Sequence, residues 1–506
     1  MSSVAGAVMV DAPIASGVVF CKPLQYVLIW SPEITSEWRM LAMPARYAIV
    51  GAGARAEMFA RAIALDHADV AELAALADPN PIRVAAHNAR LAELGVPTVP
   101  AYELGTAPAD SSAANTADFV AMLDKERVDV VVVTTVDRFH DEYIVAALDA
   151  GRDVLTEKPM TIDAPRCQRI LDAAVRTGRR VAVTFNYRFN PIHEAVKRIL
   201  AAGEIGEIGS VHFEWMLDVR HGADYFRRWH RDKANSGGLL VHKASHHFDL
   251  VNWWLTDEPV DVHAFGRLFF YGDEAGRRHG YARPYDRAHG APAAADDPFA
   301  LSLVDSPRLR ALYLDAEAAD GYHRDQNVFA PGVSIEDDLA VLVRYARGAT
   351  MSYHLTAYAP WEGYRLMVNG SKGRLELEVV ENDHVASGGL KGQHGVDALG
   401  ERGSVSLRVR PFWAPPRDVP IESHTREGHG GGDARMLALL LRPDTRDPGA
   451  PDTDDLGRGA TERDGARALL VGLAANRSIA TGQPVRVADL LRPTTTEHIA
   501  DSHLEQ

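Results

Sequence analysis

The sequence predicts an α/β chain of two domains, a parallel sheet covered by helices followed by a second α/β domain on a mostly antiparallel sheet. Three observations predict it. From Arg46 onward, short apolar runs alternate with helical stretches across glycine-containing turns. Residues 128–135 (VDVVVVTT) make the continuous apolar run that a strand buried on both faces needs. Beyond Pro191 the texture changes to longer strands of alternating polarity, as in sheets with one solvated face.

Taken in order, Tyr47-Ala-Ile-Val is the first strand and ends at Gly51; residues 55–65 read as a helix and 72–77 as a second buried strand. Residues 106–117 (TAPADSSAANTA) are small and polar, a loop insertion. A helix near 118–126, the strand 128–135, a helix over 138–150, a strand over 153–156, a helix over 163–177 and a strand over 181–185 complete the first domain. In the second, a helix over 192–202 precedes strands at 210–217, 340–345 and 349–355, the last two joined through Arg347-Gly348. Residues 272–310 are rich in Arg, Asp, Ala and Pro and are expected as long loops on that sheet. Residues 443–464 are an acidic loop, and 465–480 form the last helix. The expected domains are 43–188 and 189–492, with a tail at 493–506. Residues 1–42 are expected to be an extension outside the fold, because Met43 stands directly ahead of the first strand.

Asp11, Pro13 and Lys22 interrupt the early apolar stretches, so no secretory signal is expected, and no run reaches the roughly 20 apolar residues of a membrane span. With 54 Lys+Arg against 69 Asp+Glu, the formal charge of −15 excludes broad attraction to nucleic acid or anionic lipid. Only Cys21 and Cys167 occur, too few for a disulfide framework; a reducing, cytoplasmic setting is expected.

The chemistry begins at Gly51-Ala-Gly53-Ala-Arg55-Ala56, between the first strand and the first helix. The first glycine permits the tight turn, the second lets the backbone approach a pyrophosphate, and the small third residue lets helix and strand pack. The helix start offers unpaired N–H groups to the phosphates. Asp78, about 22 residues beyond Ala56, ends the second strand, where a carboxylate accepts from ribose hydroxyls and disfavours a 2′-phosphate. NAD is therefore expected over NADP, with Arg55 and Arg83 keeping NADP open.

Three further segments carry a resemblance: Thr134-Thr135-Val-Asp-Arg-Phe-His140, Glu157-Lys158-Pro159 and Asn186-Tyr-Arg188-Phe-Asn-Pro191. With the glycine turn, this resembles the Gfo/Idh/MocA oxidoreductases from Arg46 to about Leu491. The resemblance implies an N-terminal Rossmann dinucleotide-binding domain plus a C-terminal α/β domain with an open, mostly antiparallel sheet through which copies associate. It also implies hydride transfer on sugars, inositols or related alcohols, with Lys158 reaching both the nicotinamide ribose and the substrate hydroxyl. Thr134, Thr135, His140, Glu157 and Arg188 are placed at the cofactor on the same ground.

The segment Ser236-Gly-Gly-Leu-Leu-Val-His242-Lys243-Ala-Ser-His246-His247-Phe-Asp249-Leu-Val-Asn-Trp-Trp254 has the spacing of that family's catalytic helix. His246 matches the family histidine and is the candidate general acid/base, since an imidazole titrates near neutral pH. The usual aspartate is replaced by His242, and Lys243 follows it. Either His242 orients the substrate instead, or Lys243 joins Lys158 in a differently charged pocket. A metal on His242, His246, His247 and Asp249 would need a third ligand in a fixed frame, and none is expected. His247 reads equally well as a packed residue. Asp224, Tyr225, Arg228 and Trp229 in one segment, with Arg324 and Trp361, mix charged hydrogen-bonders and flat rings as a sugar site does. Glu427-Gly-His-Gly-Gly-Gly-Asp433 is either a mobile lip or a turn with an N-cap.

The leading expectation is a dehydrogenase of a sugar or glycoside alcohol. The alternative uses the same cofactor in redox-neutral glycoside cleavage by oxidation, elimination and restored hydride, with His242 or Lys243 as base. A non-catalytic NAD-binding regulator comes third, because the lysine and histidine candidates are both present.

Overall fold

The computed structural model describes residues 18–20, 26–29, 39–105, 116–385, 403–421, 430–442 and 454–492. In the first domain, Ala45–Val50 (β1), Ala56–Arg61 (α1), Ala71–Asp78 (β2), Pro81–Glu93 (α2), Ala101–Glu103 (β3) and Ala117–Lys125 (α3) come first. Val130–Val133 (β4), His140–Asp149 (α4), Asp153–Thr156 (β5), Ala164–Thr177 (α5) and Val181–Val183 (β6) follow. The strands lie in the order β3-β2-β1-β4-β5-β6, all parallel. Helix starts follow local chemistry: Asn80 accepts from the Ile82 N–H ahead of Pro81 in α2, and Asp163 accepts from the Arg166 N–H at α5. Strand order reverses between β1 and β4, and ligands of open α/β sheets bind beyond the strand ends at such a switch.

The second domain runs through Pro191–Ala201 (α6), Ile208–Asp218 (β7), Val219–Arg227 (α7), Ser245–Leu255 (α8), Pro259–Arg267 (β8) and Gly272–His279 (α9). Asp338–Tyr345 (β9), Thr350–Ala359 (β10), Glu362–Gly370 (β11), Gly373–Asn382 (β12), Ser404–Pro411 (β13) and Arg417–Asp418 (β14) build the rest of the sheet. Gly432–Leu441 (α10), Ala460–Thr461 (β15), Glu462–Thr481 (α11) and Val485–Arg486 (β16) end it. The order is β14-β13-β12-β11-β7-β10-β9-β8-β16, antiparallel except for β7 against β10. Alternation decides which face is inside: Val211, Phe213, Trp215 and Leu217 of β7 are buried while His212 and Glu214 are not. Strand β15 crosses back to pair with β6, tying the C-terminal segment to the first sheet.

Three expectations change. Residues 236–254 are not one helix: a turn, Leu239–His242, precedes α8, and between them the Ala244 N–H reaches back to the Leu239 carbonyl at 2.8 Å, a widened turn. Residues 272–310 are not only loops but open with α9, and the continuation to Asp320 crosses to the first domain. There Asn80 Nδ2 donates to the Ala316 carbonyl (2.9 Å), Arg83 Nε to that of Leu312 (3.1 Å) and Arg308 Nη2 to that of Ala54 (2.9 Å). The described pieces of the expected extension are three short strands, Val18–Phe20, Tyr26–Ile29 and Arg39–Ala42, paired with one another. Most of the expected loop insertion at 106–117, residues 427–429, residues 443–453 and the tail at 493–506 lie outside the described residues.

Candidate active site

Gly51 ends β1 with φ +95, and a Cβ there would lie 2.5 Å from the Thr135 nitrogen and 2.6 Å from the Thr134 carbonyl carbon. Only glycine fits so close an approach of β1 to the end of β4. Gly53 is the opposite case. A Cβ on it would meet no protein atom within 4 Å, and the residue lines the cavity, so its bare backbone leaves room for a pyrophosphate. Ala56, fully buried, starts α1 and packs beneath the turn rather than lining the cavity.

Arg55 leaves the turn and is held by Glu157 (Nε to Oε1, 2.6 Å) and Asp433 (3.2 Å). Burial opposes its charge, and the two carboxylates overcome that and hold it above its ordinary value. Asp78 accepts from the N–H groups of Ala52 (2.6 Å) and Asn80 (2.7 Å). Burial pushes its carboxyl up, against Arg83 and those two donors. Arg83 is in turn paired with Asp320 at 2.7 Å, a residue of the segment that crosses from the second domain.

Beyond the turn, Thr134 Oγ1 donates to the Gly51 carbonyl (2.6 Å). Both ring nitrogens of His140 face carbonyls, Pro159 at 2.8 Å and Thr135 at 3.1 Å, so the imidazole braces two loops, and burial lowers its pKa. Lys158 follows β5, in a cis bond to Pro159, and its Nζ donates to the His242 carbonyl (3.0 Å). Burial lowers the ammonium to about 8; Glu157 and Asp137 favour the charge, while Lys243 and Arg55 oppose it.

Facing Lys158, His242 Nδ1 lies 2.5 Å from Asp137 Oδ2. Burial pushes this imidazole well down and this carboxyl well up, so each partner is held toward its neutral form. His246 stacks on Tyr187 at 4.3 Å, and Lys243 Nζ donates to the Tyr187 hydroxyl at 3.0 Å. His230, stacked on Trp229 at 3.5 Å, presents its face or edge to His242 at 4.1 Å, and burial lowers its pKa well below the ordinary value.

These groups border one cavity of about 1330 Å³, which runs from Gly51, Gly53 and Asp78 past Thr135, His140 and Lys158 to Tyr225, Arg228, Trp229, His242, Lys243 and His246. Several expected site residues are not on its wall. Arg188 is buried in a two-point pair with Asp249 (2.8 and 2.6 Å) that locks the segment before α6 to α8. Asp224 is buried and holds Arg324 (2.6 Å) and Arg228 (3.0 Å), so it positions Arg228 instead of facing the cavity, and Arg324 is consumed in that pairing. Trp361 lies under the Arg365 guanidinium at 5.4 Å; its neighbour Glu362 lines the cavity and pairs with His221 at 2.6 Å. His247 packs on Trp215 at 4.0 Å, away from the cavity wall. In the glycine-rich stretch, a Cβ on Gly430 would lie 2.4 Å from Asn190 and one on Gly432 would lie 2.6 Å from the Asn186 carbonyl, so these glycines serve a tight approach that delivers Asp433.

The sequence reading missed Asp137, Tyr187, His230 and Asp320, and it read Asp433 as part of a lip or a cap rather than as a partner of Arg55. Asp137 and Tyr187 stood inside segments already singled out, and their chemistry was the available signal. Nothing in the local sequence of Asp320 points to Arg83, 237 positions upstream by numbering.

The model of an oxidoreductase-family NAD-binding Rossmann fold matches residues 45–185, and that of the C-terminal alpha/beta domain of the Gfo/Idh/MocA family matches residues 197–487. YteT of Bacillus subtilis is 34% identical over 388 residues, 74% of this chain and 85% of that protein. Inositol 2-dehydrogenase 2 of Saccharopolyspora erythraea is 32% identical over 168 residues, only 33% of this chain and 44% of that enzyme. In fold, the chain is similar to the aldose-aldose oxidoreductase of Caulobacter crescentus, solved with glycerol (TM-score 0.54, 18% identity, 88% of this chain and 99% of that one). It is similar as well to the WlbA dehydrogenase of Bordetella pertussis, solved with NADH and UDP-GlcNAcA (TM-score 0.54, 19% identity, 88% of this chain and 98% of that one). With a dinucleotide-binding turn, a lysine after β5 and both domain models matched, the chain belongs to the Gfo/Idh/MocA family of NAD(P)-dependent oxidoreductases.

Proposed function

We propose that the protein transfers a hydride between NAD and a secondary alcohol of a sugar, glycoside or related polyol. The observation that carries this is that Lys158 and His246 border the same cavity as the Gly51–Gly53 turn. The bound nicotinamide supplies the hydride acceptor or donor. The Lys158 ammonium stabilises the alkoxide that develops on the reacting oxygen. His246 takes the hydroxyl proton as the alcohol is oxidised and returns it in the reverse direction. Asp137 orients the His242 ring by direct contact, and the His242 carbonyl fixes Lys158. Tyr225, Arg228 and Trp229 supply the polar and flat surfaces that a sugar ring packs against. At the adenosine end, Asp78 and Asp320 flank Arg83 and supply two carboxylates against one guanidinium, which favours NAD over NADP.

The test is purified full-length protein with a panel of sugars, inositols and glycosides, followed by reduction of NAD. Failure of calorimetry to detect either dinucleotide, with or without substrate, refutes the proposal. The His242–Asp137 pair also favours the second reading, redox-neutral glycoside cleavage, because it offers a base beside Lys158. Release of an aryl aglycone without net NADH would decide for that reading.

No helix among the described residues is long and apolar enough to cross a membrane, and the low cysteine use supports a cytoplasmic setting. Association of copies through the second sheet is supported by Phe265 and Leu342, 68% and 57% exposed on β8 and β9; light scattering tests it.

A further inference from the structure

Several ionisable groups on the cavity wall have a partner of opposite type in place. Glu157 and Asp433 hold Arg55, Glu362 holds His221, and Asp137 holds His242. Lys243 breaks that pattern. It is 5% exposed and lines the cavity, its Nζ donates to the Tyr187 hydroxyl, and the ammonium stands 5.4 and 5.3 Å from the ring centres of Tyr187 and Trp215. No ion pair joins it to a carboxylate among the described residues. Burying an ammonium sacrifices its hydration, and a hydroxyl with two aromatic faces recovers only part of that. The missing partner is an anion, and the space beside Lys243 is the substrate end of the cavity.

We infer that the natural substrate carries a carboxylate, as a hexuronate or a uronic-acid glycoside does, and seats it on Lys243. The inference rests on the dehydrogenase reading above and names its substrate class. Spacing supports it. Tyr187 stacks on His246 at 4.3 Å and receives Lys243 on its hydroxyl, so ammonium and imidazole stand about one aromatic ring apart. A hexuronate spans a similar length between its carboxylate and its ring hydroxyls. A neutral polyol bound beside it would leave the ammonium buried without a counter-charge. Position 243 follows the residue that replaces the family's aspartate, so one short stretch has lost an acid and presents a base.

The test uses the full-length protein and matched pairs that differ only at C6: glucuronate and glucose, galacturonate and galactose, mannuronate and mannose, each also as its methyl glycosides. Two readouts are taken, NAD-dependent turnover and calorimetric binding to protein saturated with NADH. At least one acid should exceed its neutral twin by about tenfold to a hundredfold in both, the range of a hydrogen bond between charged groups. Lys243→Met should bring the acid-to-neutral ratio to about one while NADH affinity stays unchanged and the thermal melt is no lower than the parent's; Lys243→Gln serves if the methionine variant does not fold. The inference is overturned if no acid exceeds its twin, or if the ratio survives in the folded variant. Lys243-dependent binding of an acid with turnover of none would uphold the acid site and refute the dehydrogenase reading instead.

Discussion

Replacement of Asp137 by Asn tests the electrostatics of the site most directly. Two carboxylates favour the Lys158 ammonium, Glu157 and Asp137, against burial, Lys243 and Arg55. Asp137 reaches Lys158 through His242, with 2.5 Å on one side of that residue and 3.0 Å on the other. With one residue between the two groups and an effective dielectric of about 20, the attraction of an ionised Asp137 is on the order of 2 kcal/mol, or about 1.5 pKa units. The sign follows from the ionised form of Asp137: removing that negative charge disfavours the ammonium, so the Lys158 pKa falls from about 8. The working form is the ammonium, so activity is present below that pKa and lost above it. The alkaline limb of kcat/KM should therefore move about one to 1.5 pH units toward acid in Asp137→Asn. Initial rates at saturating NAD, on whichever sugar the panel selects, measure the limb in both proteins, and the shift is independent of any offset that bound dinucleotide imposes on both. A thermal melt excludes unfolding as the cause. A limb that stays in place would mean that Asp137 is already neutral in the working enzyme, as its burial urges, and a limb that moves toward alkali would refute the assignment of Lys158 as the titrating group.

Four other substitutions separate cofactor contacts from scaffold. Gly53→Ala should fold with an unchanged melt yet bind NAD at least about tenfold more weakly, because its Cβ enters the cavity. Gly51→Ala should instead destabilise the protein by more than about 2 kcal/mol, combining left-handed backbone with a clash on Thr135; equal NAD affinity in Gly53→Ala and the parent would sink the cradle argument. Arg188→Met leaves Asp249 buried without its ion pair and should cost about 3–5 kcal/mol, read as a lower melting temperature. Its NAD affinity should be unchanged, whereas a weakened affinity at an unchanged melt would restore Arg188 as a cofactor contact. Asp320→Asn releases Arg83 and should improve NADP binding about tenfold with NAD within about twofold; an unchanged NADP affinity would remove Asp320 from cofactor choice.

What was legible in the sequence is what local rules decide. Strand β5 falls on residues 153–156 as read, because the short buried run of Val154 and Leu155 stops at the charged pair Glu157-Lys158. Helix α5 begins at its Asp163 cap and ends at Gly178, with φ +65, both visible as residue types. The widened turn at Ala244 was not legible: it depends on two positive-φ glycines, Gly237 and Gly238, and on burial of every residue from Leu239 to Leu255. The site divides the same way. The glycine turn and Asp78 are read from spacing, but Arg188 and Arg324 look like ligand-binding arginines in sequence and are internal partners of Asp249 and Asp224 in space. A charged residue in a motif says that charge is needed there; only the fold says what balances it.

The replaced aspartate makes this plain. In sequence, His242 reads as a lost carboxylate, and a lost carboxylate beside Lys158 should leave the ammonium harder to hold. The structure returns the acid from another element: Asp137, 105 positions upstream, is brought to the imidazole at the mouth of β4. The wall therefore keeps a carboxylate, now acting through a ring that can donate or accept at its second nitrogen, and that is a wider repertoire than an aspartate alone offers. Lys243 is then the one net addition, a positive charge that lowers its neighbour Lys158 and has no carboxylate of its own among the described residues. An addition of that kind is destabilising in the free protein and is offset only when something anionic arrives, which is why the acid-to-neutral ratio, rather than absolute turnover, is the quantity that tests the pocket.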